Sequence, residues 1–322
     1  MEGFQLIATG AGIPSRVVTN DDMSRIVDTS DEWITTRTGI RQRRFCAEGE
    51  DAGSMAIEAA RQALANSGLD PAQIGCCLCA TIAARYLTPT NACLIQQELG
   101  LPQDIPVLDI NAACSGFIYG AAVARGLLAS RNDPARPYAL VVGCEQLSRL
   151  MDMTDRSTCV LFGDAAGAAI FKLSDAPFAV DLGARGDMAI KVPEGGPIQM
   201  DGSAVFRFAV DALPRSLHTV LQEAGLTLDQ LDWVVCHQAN SRIIDHCIKK
   251  LKADPAKFYK NMDRYGNTSA ASIPVALHEL AESGRLTPGM RIACIGFGGG
   301  LTWGGMAFTV GETLNAHRAE QR

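Results

Sequence analysis

The sequence predicts an α/β protein made of two similar halves, and a repeated segment is the main evidence. Residues 63–79 and 220–236 read ALANSGLDPAQIGCCLC and VLQEAGLTLDQLDWVVC. Each is the end of an amphipathic helix, a glycine stop, a polar turn and an apolar strand. Strands that alternate with helices of about 10 to 15 residues are typical of parallel sheets covered on both faces. The repeat therefore predicts an internal duplication of such a sheet.

The elements that follow each repeat also correspond in type and order. Both halves continue with helix, helix and strand, which we predict over residues 90–99, 116–130 and 139–143 and over residues 241–252, 269–283 and 291–297. The seam lies near residues 171–177, so the two predicted domains span residues 1–172 and 173–322. Because no linker rich in Pro, Gly or Ser separates them, we expect them to pack directly against each other.

Composition and charge exclude several classes of function. The chain has 322 residues, of which 47% are apolar and 20% charged, and its formal net charge is −6. This is enough apolar sequence for a large ordered core. It provides no overall positive field to hold nucleic acid or an anionic membrane. The N-terminal segment does not resemble a signal peptide, and no window reaches the roughly 18 to 20 apolar residues of a membrane span. We expect a soluble cytoplasmic protein.

The eleven cysteines indicate a reducing compartment rather than a disulfide framework. Their number is odd, and they are scattered through apolar segments, where a free thiol packs as a small apolar side chain. Cys76, Cys77 and Cys79 lie in one apolar strand, with no second CxxC or His pair at ligand spacing. We therefore predict no metal site.

Cys114 is the candidate nucleophile because of its position in the chain. An apolar run ends at this cysteine, and a helix rich in small residues begins at Gly116. At a helix N-terminus the free N–H groups and the macrodipole favour a thiolate and can hold an oxyanion. A buried, inert cysteine is the alternative, and it fits most of the other cysteines better than this one.

Two polar residues of the second half are candidates to act with Cys114. His237 follows the apolar run WVVC and so stands at the carboxyl end of a predicted strand, where open parallel sheets place ligand-contacting groups. Asn267 lies in a turn before another helix and can donate two hydrogen bonds without titrating. Taken alone, such an Asn is more often a helix N-cap.

Two glycine-rich segments have different interpretations. Glycines 298–300 follow a buried strand, which suits a backbone that passes close to a ligand, although a tight turn would need them as well. The run 163–170 lacks the Lys-Ser/Thr of a phosphate-binding loop and precedes a strand instead of a helix, so we interpret it as close packing.

Taken together, these segments resemble one family of enzymes. NAACSGF, HQAN, YGNTSAAS and GFGGGLTWG, at residues 111–117, 237–240, 265–272 and 296–304, are similar to the signature segments of the β-ketoacyl-acyl carrier protein synthase III family. Residues 10–21 and 29–43 also match, so the resemblance covers essentially the whole chain. It implies the thiolase fold, a five-layered αβαβα sandwich of two duplicated α/β halves, and a homodimer.

The resemblance also implies a reaction and the residues that perform it. The reaction is the decarboxylative condensation of an acyl-CoA primer with malonyl-acyl carrier protein, with Cys114 as the acyl-accepting nucleophile of a ping-pong scheme. His237 and Asn267 would hold the malonyl thioester carbonyl, and Phe297 would lie beside the malonyl carboxylate. The N–H groups of Cys114 and Gly299 would form the oxyanion hole. No cofactor is implied, because acyl-CoA is a substrate.

Further residues are implied to contact the coenzyme A arm or the carrier protein. An aromatic face and guanidinium groups suit an adenine and phosphates. The coenzyme set is Trp33, Arg37, Arg156, Phe206, Asn240 and Arg242. A local basic patch would attract the acidic carrier protein, although an ordinary solvated helix face is the alternative. The patch consists of Arg207, Arg242, Lys249, Lys250 and Lys252. Ser157 departs from the family, which usually has Gly there.

The acyl pocket is where the chain departs further from the family pattern. In residues 81–93, TIAARYLTPTNAC, Thr88 occupies the place of a Phe that closes the end of the pocket. The loop 184–201 also looks shorter than in acetyl-using members. Both changes remove bulk, so we predict primers that are longer or more branched than acetyl.

Three other functions share some of these features. A thiolase-fold acyltransferase or ketosynthase of secondary metabolism would keep Cys114 but use a different acceptor, whereas His237 and Asn267 together favour decarboxylative condensation. A Cys-His-Asn hydrolase would use the same residue types in the same order, but the papain-like signature around the cysteine is missing. An intact Cys114 argues against a non-catalytic partner subunit.

Overall fold

The computed structural model describes residues 3–315, which form a mixed α/β protein. The strands of this part of the chain are β1 (Gly3–Gly12), β2 (Arg16–Thr19), β3 (Gln42–Phe45), β4 (Ile74–Ala80), β5 (Val107–Ile110), β6 (Tyr138–Glu145), β7 (Ala165–Ser174), β8 (Ala179–Asp187), β9 (Ile190–Lys191), β10 (Gln199–Met200), β11 (Trp233–Cys236), β12 (Phe258–Tyr259), β13 (Arg291–Gly298) and β14 (Gly300–Val310).

The α-helices alternate with these strands through most of the chain. They are α1 (Asn20–Ser24), α2 (Asp31–Thr38), α3 (Ala52–Ser67), α4 (Asn91–Leu99), α5 (Gly116–Arg131), α6 (Arg156–Cys159), α7 (Gly202–Ala224), α8 (Ser241–Leu251), α9 (Met262–Tyr265) and α10 (Ser272–Glu282). Short 3-10 helices, Ala113–Ser115 and Ser269–Ala271, lead directly into α5 and α10. The first of these turns contains Cys114, and Asn267 lies two residues before the second.

The main sheet has ten strands and divides into two half-sheets of the same topology. β1 and β14 meet over only two residue pairs, so the sheet separates naturally at that point. The strand orders on the two sides are β5-β4-β6-β7-β1 and β12-β11-β13-β14-β8. Along both, the first two pairings are parallel and the last two antiparallel. The predicted duplication is confirmed by this shared order.

Helices cover and separate the half-sheets in five layers. α3 and α4 pack on the outer face of the first half-sheet, and α7 and α8 pack on the outer face of the second. α5 and α10 lie between the half-sheets, where Phe117 and Leu277 share one apolar cluster with Phe171 of β7 and Phe308 of β14. The order of layers is therefore αβαβα, as the resemblance implied.

The repeated segment folds in the same way in both halves. Gly68 and Gly225 end α3 and α7 in the left-handed conformation, which glycine adopts without a Cβ clash. Each is followed by a 3-10 turn, Pro71–Gln73 or Leu228–Gln230, and then by β4 or β11. The predicted helices and strands after the repeats are also confirmed, within a few residues at their ends. The predicted domain boundary after residue 172 falls near the end of β7, and the division into two domains stays a prediction.

One helical stretch would pass for a membrane span by length and composition alone. It is Ala113–Arg131, with a mean hydropathy of 1.2 over its most apolar window. This stretch contains α5, which lies between the two half-sheets and contributes Phe117 and Ile118 to the central cluster. Its apolar character is therefore that of a core helix, and it is weak evidence for a membrane segment.

Close packing of β7 against α10 yields a stability prediction. A Cβ added at Gly167 would lie 2.6 Å from the backbone nitrogen of Val275, so Gly167→Ala should lower the free energy of unfolding by about 1–3 kcal/mol through overpacking. Gly186→Ala is the matched control, because that strand glycine faces open space. Urea unfolding should separate the two variants, and equal midpoints would contradict the packing described here.

Candidate active site

Cys114 lies where the first half-sheet leads into the central helix layer. Ala113 has a φ of +47°, so the chain turns sharply immediately before the cysteine. The hydroxyl of Thr302 donates a hydrogen bond to the carbonyl of Ala112 at 3.1 Å and ties this turn to β14. A Cβ at Gly298 would lie 2.6 Å from the Cys114 nitrogen. The end of β13 can therefore lie against the cysteine only because residue 298 is a glycine.

Cys114 is partly exposed to the cavity as a residue, and the surroundings of its sulfur favour the protonated thiol. Burial raises the pKa of Cys114 to about 12, and the charge of Glu145 acts in the same direction. The side chain of Ser269 is hydrogen-bonded to the thiol, while its hydroxyl proton is donated to Glu145. Desolvation therefore outweighs the contribution of the helix N-terminus, which favours a thiolate. The thiol has to lose its proton during a reaction, not before it.

His237 is a neutral hydrogen-bond donor to the cavity. Burial lowers the pKa of the ring to about 3. Its Nδ1 lies 2.7 Å from the hydroxyl oxygen of Ser272, which also accepts a hydrogen bond from the Gln238 N–H at 3.3 Å. The Ser272 proton is thus available to Nδ1, and in that arrangement the ring proton is on Nε2. The edge of the ring contacts Phe297, with the two centroids 5.4 Å apart.

Asn267 is held by backbone bonds to the other half of the chain. Its N–H donates to the carbonyl of Leu161 at 2.8 Å, and its carbonyl accepts from the N–H of Gly163 at 3.0 Å. The side-chain oxygen accepts the N–H of Ser269 at 2.9 Å. This bond leaves the amide NH₂ as the group that can donate to a ligand. Asn267 is therefore not an N-cap of α10, for which no side-chain cap is formed.

One cavity of about 530 Å³ joins these side chains. Three of its lining residues, Cys114, His237 and Asn267, come from the two halves of the chain, as predicted. Its lining also includes Gly299, Phe297, Trp33, Arg37, Phe206, Asn240 and Arg242. The nucleophile, the two donors, the glycine loop and most of the predicted coenzyme set thus share one compartment.

Several residues that the sequence analysis does not assign to the site line this cavity or contact the residues that line it. Ser272 orients His237, and Ser269 contacts both Cys114 and Asn267. Both serines lie inside the motif at residues 265–272, which was the available signal. Glu145 lies behind Ser269 and belongs to none of the motifs. Gly298, one of the three glycines at 298–300, lies against the backbone of Cys114.

Comparison with known proteins assigns this arrangement to a family. Residues 108–186 match the model described as 3-oxoacyl-(acyl-carrier-protein) synthase III, and residues 221–310 match its C-terminal model. The chain is 44% identical over 311 residues to the β-ketoacyl-(acyl-carrier-protein) synthase III of Acholeplasma laidlawii, with 95% of this chain and 98% of that protein covered. The chain belongs to the 3-oxoacyl-(acyl-carrier-protein) synthase III family.

Solved structures of similar proteins confirm the predicted thiolase fold. The synthase III of Aquifex aeolicus VF5 aligns with a TM-score of 0.90 at 40% identity, covering 95% of this chain and 100% of that one. The priming β-ketosynthase of the R1128 polyketide pathway aligns with a TM-score of 0.89 at 34% identity, covering 96% and 97%. As a synthase III, the chain is a condensing enzyme of the acyltransferase type that acts in the priming step of fatty acid synthesis. The hydrolase and non-catalytic alternatives are thereby set aside.

The residues at the mouth of the synthase cavity form an aromatic and cationic group. The guanidinium carbons of Arg37 and Arg156 lie 4.8 and 5.0 Å from the ring centroid of Trp33. Arg156 is not among the lining residues and reaches the mouth only through this contact. The side chain of Asn240 caps α8 through the N–H of Arg242 and donates to the carbonyl of Arg37. Asn240 therefore connects α8 to the segment that contains Arg37 at the entrance of the cavity.

Thr88 does not line the cavity of its own chain. It lies in an exposed loop next to Leu87, whose side chain has a relative exposure of 103%, and Tyr86, which is 45% exposed. The structure therefore does not bring the predicted acyl-pocket residue to the site within one chain.

The predicted basic patch is exposed and is partly neutralised. α8 buries Ile243, Ile244, Cys247 and Ile248, and Leu251 is half-buried. Its opposite face exposes Arg242, Lys249 and Lys250, followed by the helix cap Lys252, and Arg207 lies exposed on α7. Lys250 forms an ion pair with Asp211 at 3.2 Å, and Arg207 donates to the Ser203 hydroxyl. An exposed ion pair of this kind contributes little to stability and does not prevent Lys250 from exchanging partners.

We predict that His237 stays neutral through the physiological pH range. Its pKa of about 3 lies below the 6.5 of an unperturbed ring, so protonation favours the unfolded chain. The contribution of the neutral ring to stability is complete above about pH 6.5 and is lost as the pH falls toward 3. NMR of ¹⁵N-histidine-labelled protein should show an Nε2-protonated ring that does not titrate between about pH 5 and 8.

Ser272→Ala is the matched variant for this measurement. It should leave the ring of His237 neutral but allow both tautomers, because Nδ1 loses its hydrogen-bond partner. A His237 signal that titrates near its unperturbed pKa would show that the ring is more hydrated than the structure indicates.

Proposed function

We propose that this enzyme condenses an acyl-CoA primer with malonyl-acyl carrier protein, to give β-ketoacyl-acyl carrier protein, CoA and CO₂, in the cytoplasm. The observation that carries the proposal is the shared cavity of Cys114, His237 and Asn267. A nucleophile and two neutral donors at one apolar site suit an acyl transfer followed by an enolate-forming step. No cofactor takes part in this scheme, because acyl-CoA enters as a substrate.

The first half-reaction transfers the acyl group to Cys114. The sulfur attacks the thioester carbonyl, the bond to the CoA sulfur breaks, and the thiol proton ends on the departing CoA. Cys114 and Gly299 both line the cavity, and their N–H groups are our candidates to hold the oxyanion. Their proximity is supported by the close approach of Gly298 to the Cys114 nitrogen.

The second half-reaction uses His237 and Asn267. The Nε2–H of the neutral ring and the Asn267 amide would donate to the malonyl thioester oxygen as CO₂ leaves, so that negative charge develops on that oxygen. The resulting enolate carbon then attacks the acyl group on Cys114, and the Cys114 thiolate leaves and takes up one proton from solvent to restore the thiol. A ring with a pKa of about 3 carries no acidic proton at neutral pH, which supports this role because the carbanion is not quenched. Phe297 beside the ring would provide an apolar wall for the carboxylate.

We propose that the mouth of the cavity receives the two carriers of the acyl groups. The Trp33 face and the guanidinium groups of Arg37, Arg156 and Arg242 suit the adenine and phosphates of CoA. The exposed basic residues of α8 extend from the same mouth, since Arg242 both lines the cavity and begins that helix. An acidic carrier protein would be steered to this face.

A homodimer would reconcile the position of Thr88 with a role in the acyl pocket. Within one chain this residue is exposed, and its neighbours Tyr86 and Leu87 place apolar side chains in solvent. Such a tip is costly to hydrate and is suited to burial against a second copy. In that arrangement Thr88 would approach the acyl pocket of the partner, and a small side chain would leave room for a longer primer.

A second candidate function is a priming ketosynthase of secondary metabolism. The similarity to the R1128 priming β-ketosynthase favours it, with 34% identity over nearly the whole chain. The two functions share the chemistry at Cys114 and differ in the carrier protein. Rates of CO₂ release with malonyl groups on fatty-acid and polyketide carrier proteins would distinguish them.

We predict that Cys114 becomes acylated when the enzyme is mixed with acyl-CoA. Intact-mass measurement should show one added acyl group and release of CoA. Cys114→Ala should abolish the adduct, whereas Cys93→Ala, which removes another partly exposed thiol, should retain it. An adduct that persists in Cys114→Ala, or none in the native enzyme with any primer, would refute the proposed mechanism.

We predict that primers longer or more branched than acetyl acylate the enzyme as well as acetyl does. The cavity supports this, because its apolar lining includes Ile82, Leu147, Phe162 and Ile198. Thr88→Phe should shift the preference toward acetyl by about ten-fold or more, since each lost methylene contact is worth roughly 0.8 kcal/mol. Competition among acyl-CoAs with mass detection would rank the primers, and a strict acetyl preference of the native enzyme would end this hypothesis.

A further inference from the structure

A buried carboxylate lies behind the nucleophile and has no part in the steps described above. Glu145 ends β6 and is completely buried. Its Oε1 accepts the hydroxyl of Ser269 at 3.0 Å. Its Oε2 accepts the N–H of Ile82 at 3.0 Å and the hydroxyl of Thr81 at 3.3 Å. A carboxylate with no cation among these partners is costly to bury, so it calls for an explanation.

Ser269 connects this carboxylate to the nucleophile. Its side chain is hydrogen-bonded to Cys114 as well as to Glu145, and it lines the cavity together with the cysteine. Ser269 has a φ of +49°, a conformation that is uncommon for a residue other than glycine. Its N–H is occupied by Asn267. The hydroxyl is therefore fixed between a thiol on one side and a carboxylate on the other.

We propose that Glu145 and Ser269 form a proton relay that deprotonates Cys114 during acylation. The inference rests on the proposed function. Glu145 accepts the proton and Ser269 passes it on, and neither residue has a role in the steps assigned to Cys114, His237 and Asn267. The thiol proton passes to the Ser269 oxygen while the Ser269 proton passes to Glu145. The hydroxyl is regenerated in each transfer, so the net result is movement of one proton from sulfur to carboxylate.

The proton returns from Glu145 when CoA leaves. The Cys114 sulfur forms a bond with the acyl carbon, and the bond from that carbon to the CoA sulfur breaks. The proton on Glu145 returns through Ser269 to the departing thiolate, which takes the place of the cysteine sulfur as the nearest base. Acyl-CoA and thiol thus become acyl-enzyme and CoA–SH, with the carboxylate restored and no external acid or base required.

The electrostatics of the pocket favour a relay over separate ionisations. Burial raises the pKa of Glu145 to about 8 and the pKa of Cys114 to about 12, so Glu145 ionises first and becomes able to accept the thiol proton as the pH rises through about 8. The titratable groups around Glu145 are the thiols of Cys79, Cys114 and Cys144. Proton transfer within the chain of three residues keeps a single negative charge, whereas independent loss of the thiol proton would place two negative charges together in a dry site.

The chain contains a matched control for this network. Asp164 is another buried carboxylate, and it accepts the hydroxyl of Ser148 at 2.6 Å and the N–H of Cys46 at 2.9 Å. It lies before β7 and is not among the cavity-lining residues. Asp164→Asn therefore measures the general effect of neutralising a buried, serine-bound carboxylate, without touching the proposed relay.

Single-turnover acylation is the first test, followed by rapid quench and intact mass. Glu145→Gln should slow acylation by about 100-fold, since positioned proton transfer contributes on that order. Ser269→Ala should slow it similarly, and the double variant should be no slower than either single one, because the residues act in series. Condensation by the pre-acylated enzyme should change much less, and Asp164→Asn should acylate at nearly the native rate.

Whether Glu145→Gln slows or speeds acylation distinguishes the relay from a purely electrostatic effect of the Glu145 charge. Removal of a negative charge beside the thiol would by itself favour the thiolate and speed acylation, so unchanged or faster acylation would overturn the relay. Equal losses in both half-reactions, matched by Asp164→Asn, would indicate a structural role and would also overturn it. If Glu145→Gln does not fold, Ser269→Ala alone decides the question, since it retains the backbone bond to Asn267.

Alkylation of Cys114 by iodoacetamide provides a second readout that does not depend on the proposed function. In the native enzyme the rate should rise through an inflection near pH 8, where the relay chain loses its first proton. This inflection should be absent in Glu145→Gln. If the native enzyme forms no acyl adduct, the proposed function fails. If it forms one and both profiles coincide, only the relay fails.

Discussion

The close contact between the backbones of the two halves is the constraint on which the site depends. A Cβ at Gly143 of the first half would lie 2.2 Å from the carbonyl oxygen of Ala270, and one at Gly298 of the second half would lie 2.6 Å from the nitrogen of Cys114. Each half thus provides a glycine against which the turn of the other half rests. Without these approaches, the two turns would be separated by at least the width of a side chain, and Cys114 and Asn267 would not share a cavity.

Burial then determines the protonation states that the chemistry has to use. The same dry cavity that lowers the pKa of His237 to about 3 raises the pKa of Cys114 to about 12. The first effect is useful at once, because a neutral donor can stabilise an enolate without protonating it. The raised pKa of Cys114 means that the thiol requires a local proton acceptor before it can react. Glu145 and Ser269 occupy the position that such an acceptor would take.

Local sequence patterns predicted the elements and the three candidate side chains well. Glycine stops, apolar strands and strand ends are properties of neighbouring residues, so Gly68, Gly225 and His237 could be placed without coordinates. Glu145 and Ser269 are 124 residues apart, and no local pattern relates them. The raised pKa of Cys114 could not be predicted for a related reason, since the helix N-terminus is visible in the sequence and the desolvation of the thiol is not. The roles assigned to these side chains remain predictions until the variants are measured.

The duplication explains why the two turns of the site resemble each other. In each half a 3-10 turn leads into a central helix, and the first residue of that turn is a non-glycine with positive φ, Ala113 at +47° or Ser269 at +49°. The equivalent turns bring their first residues, Ala113 and Ser269, into the lining of the same cavity from opposite halves. One turn carries the sulfur in its second residue, and the other carries the hydroxyl that contacts it. The same turn, present once in each half, thus places a nucleophile opposite its hydrogen-bonding partner. The side chains at these few positions make the two turns chemically different.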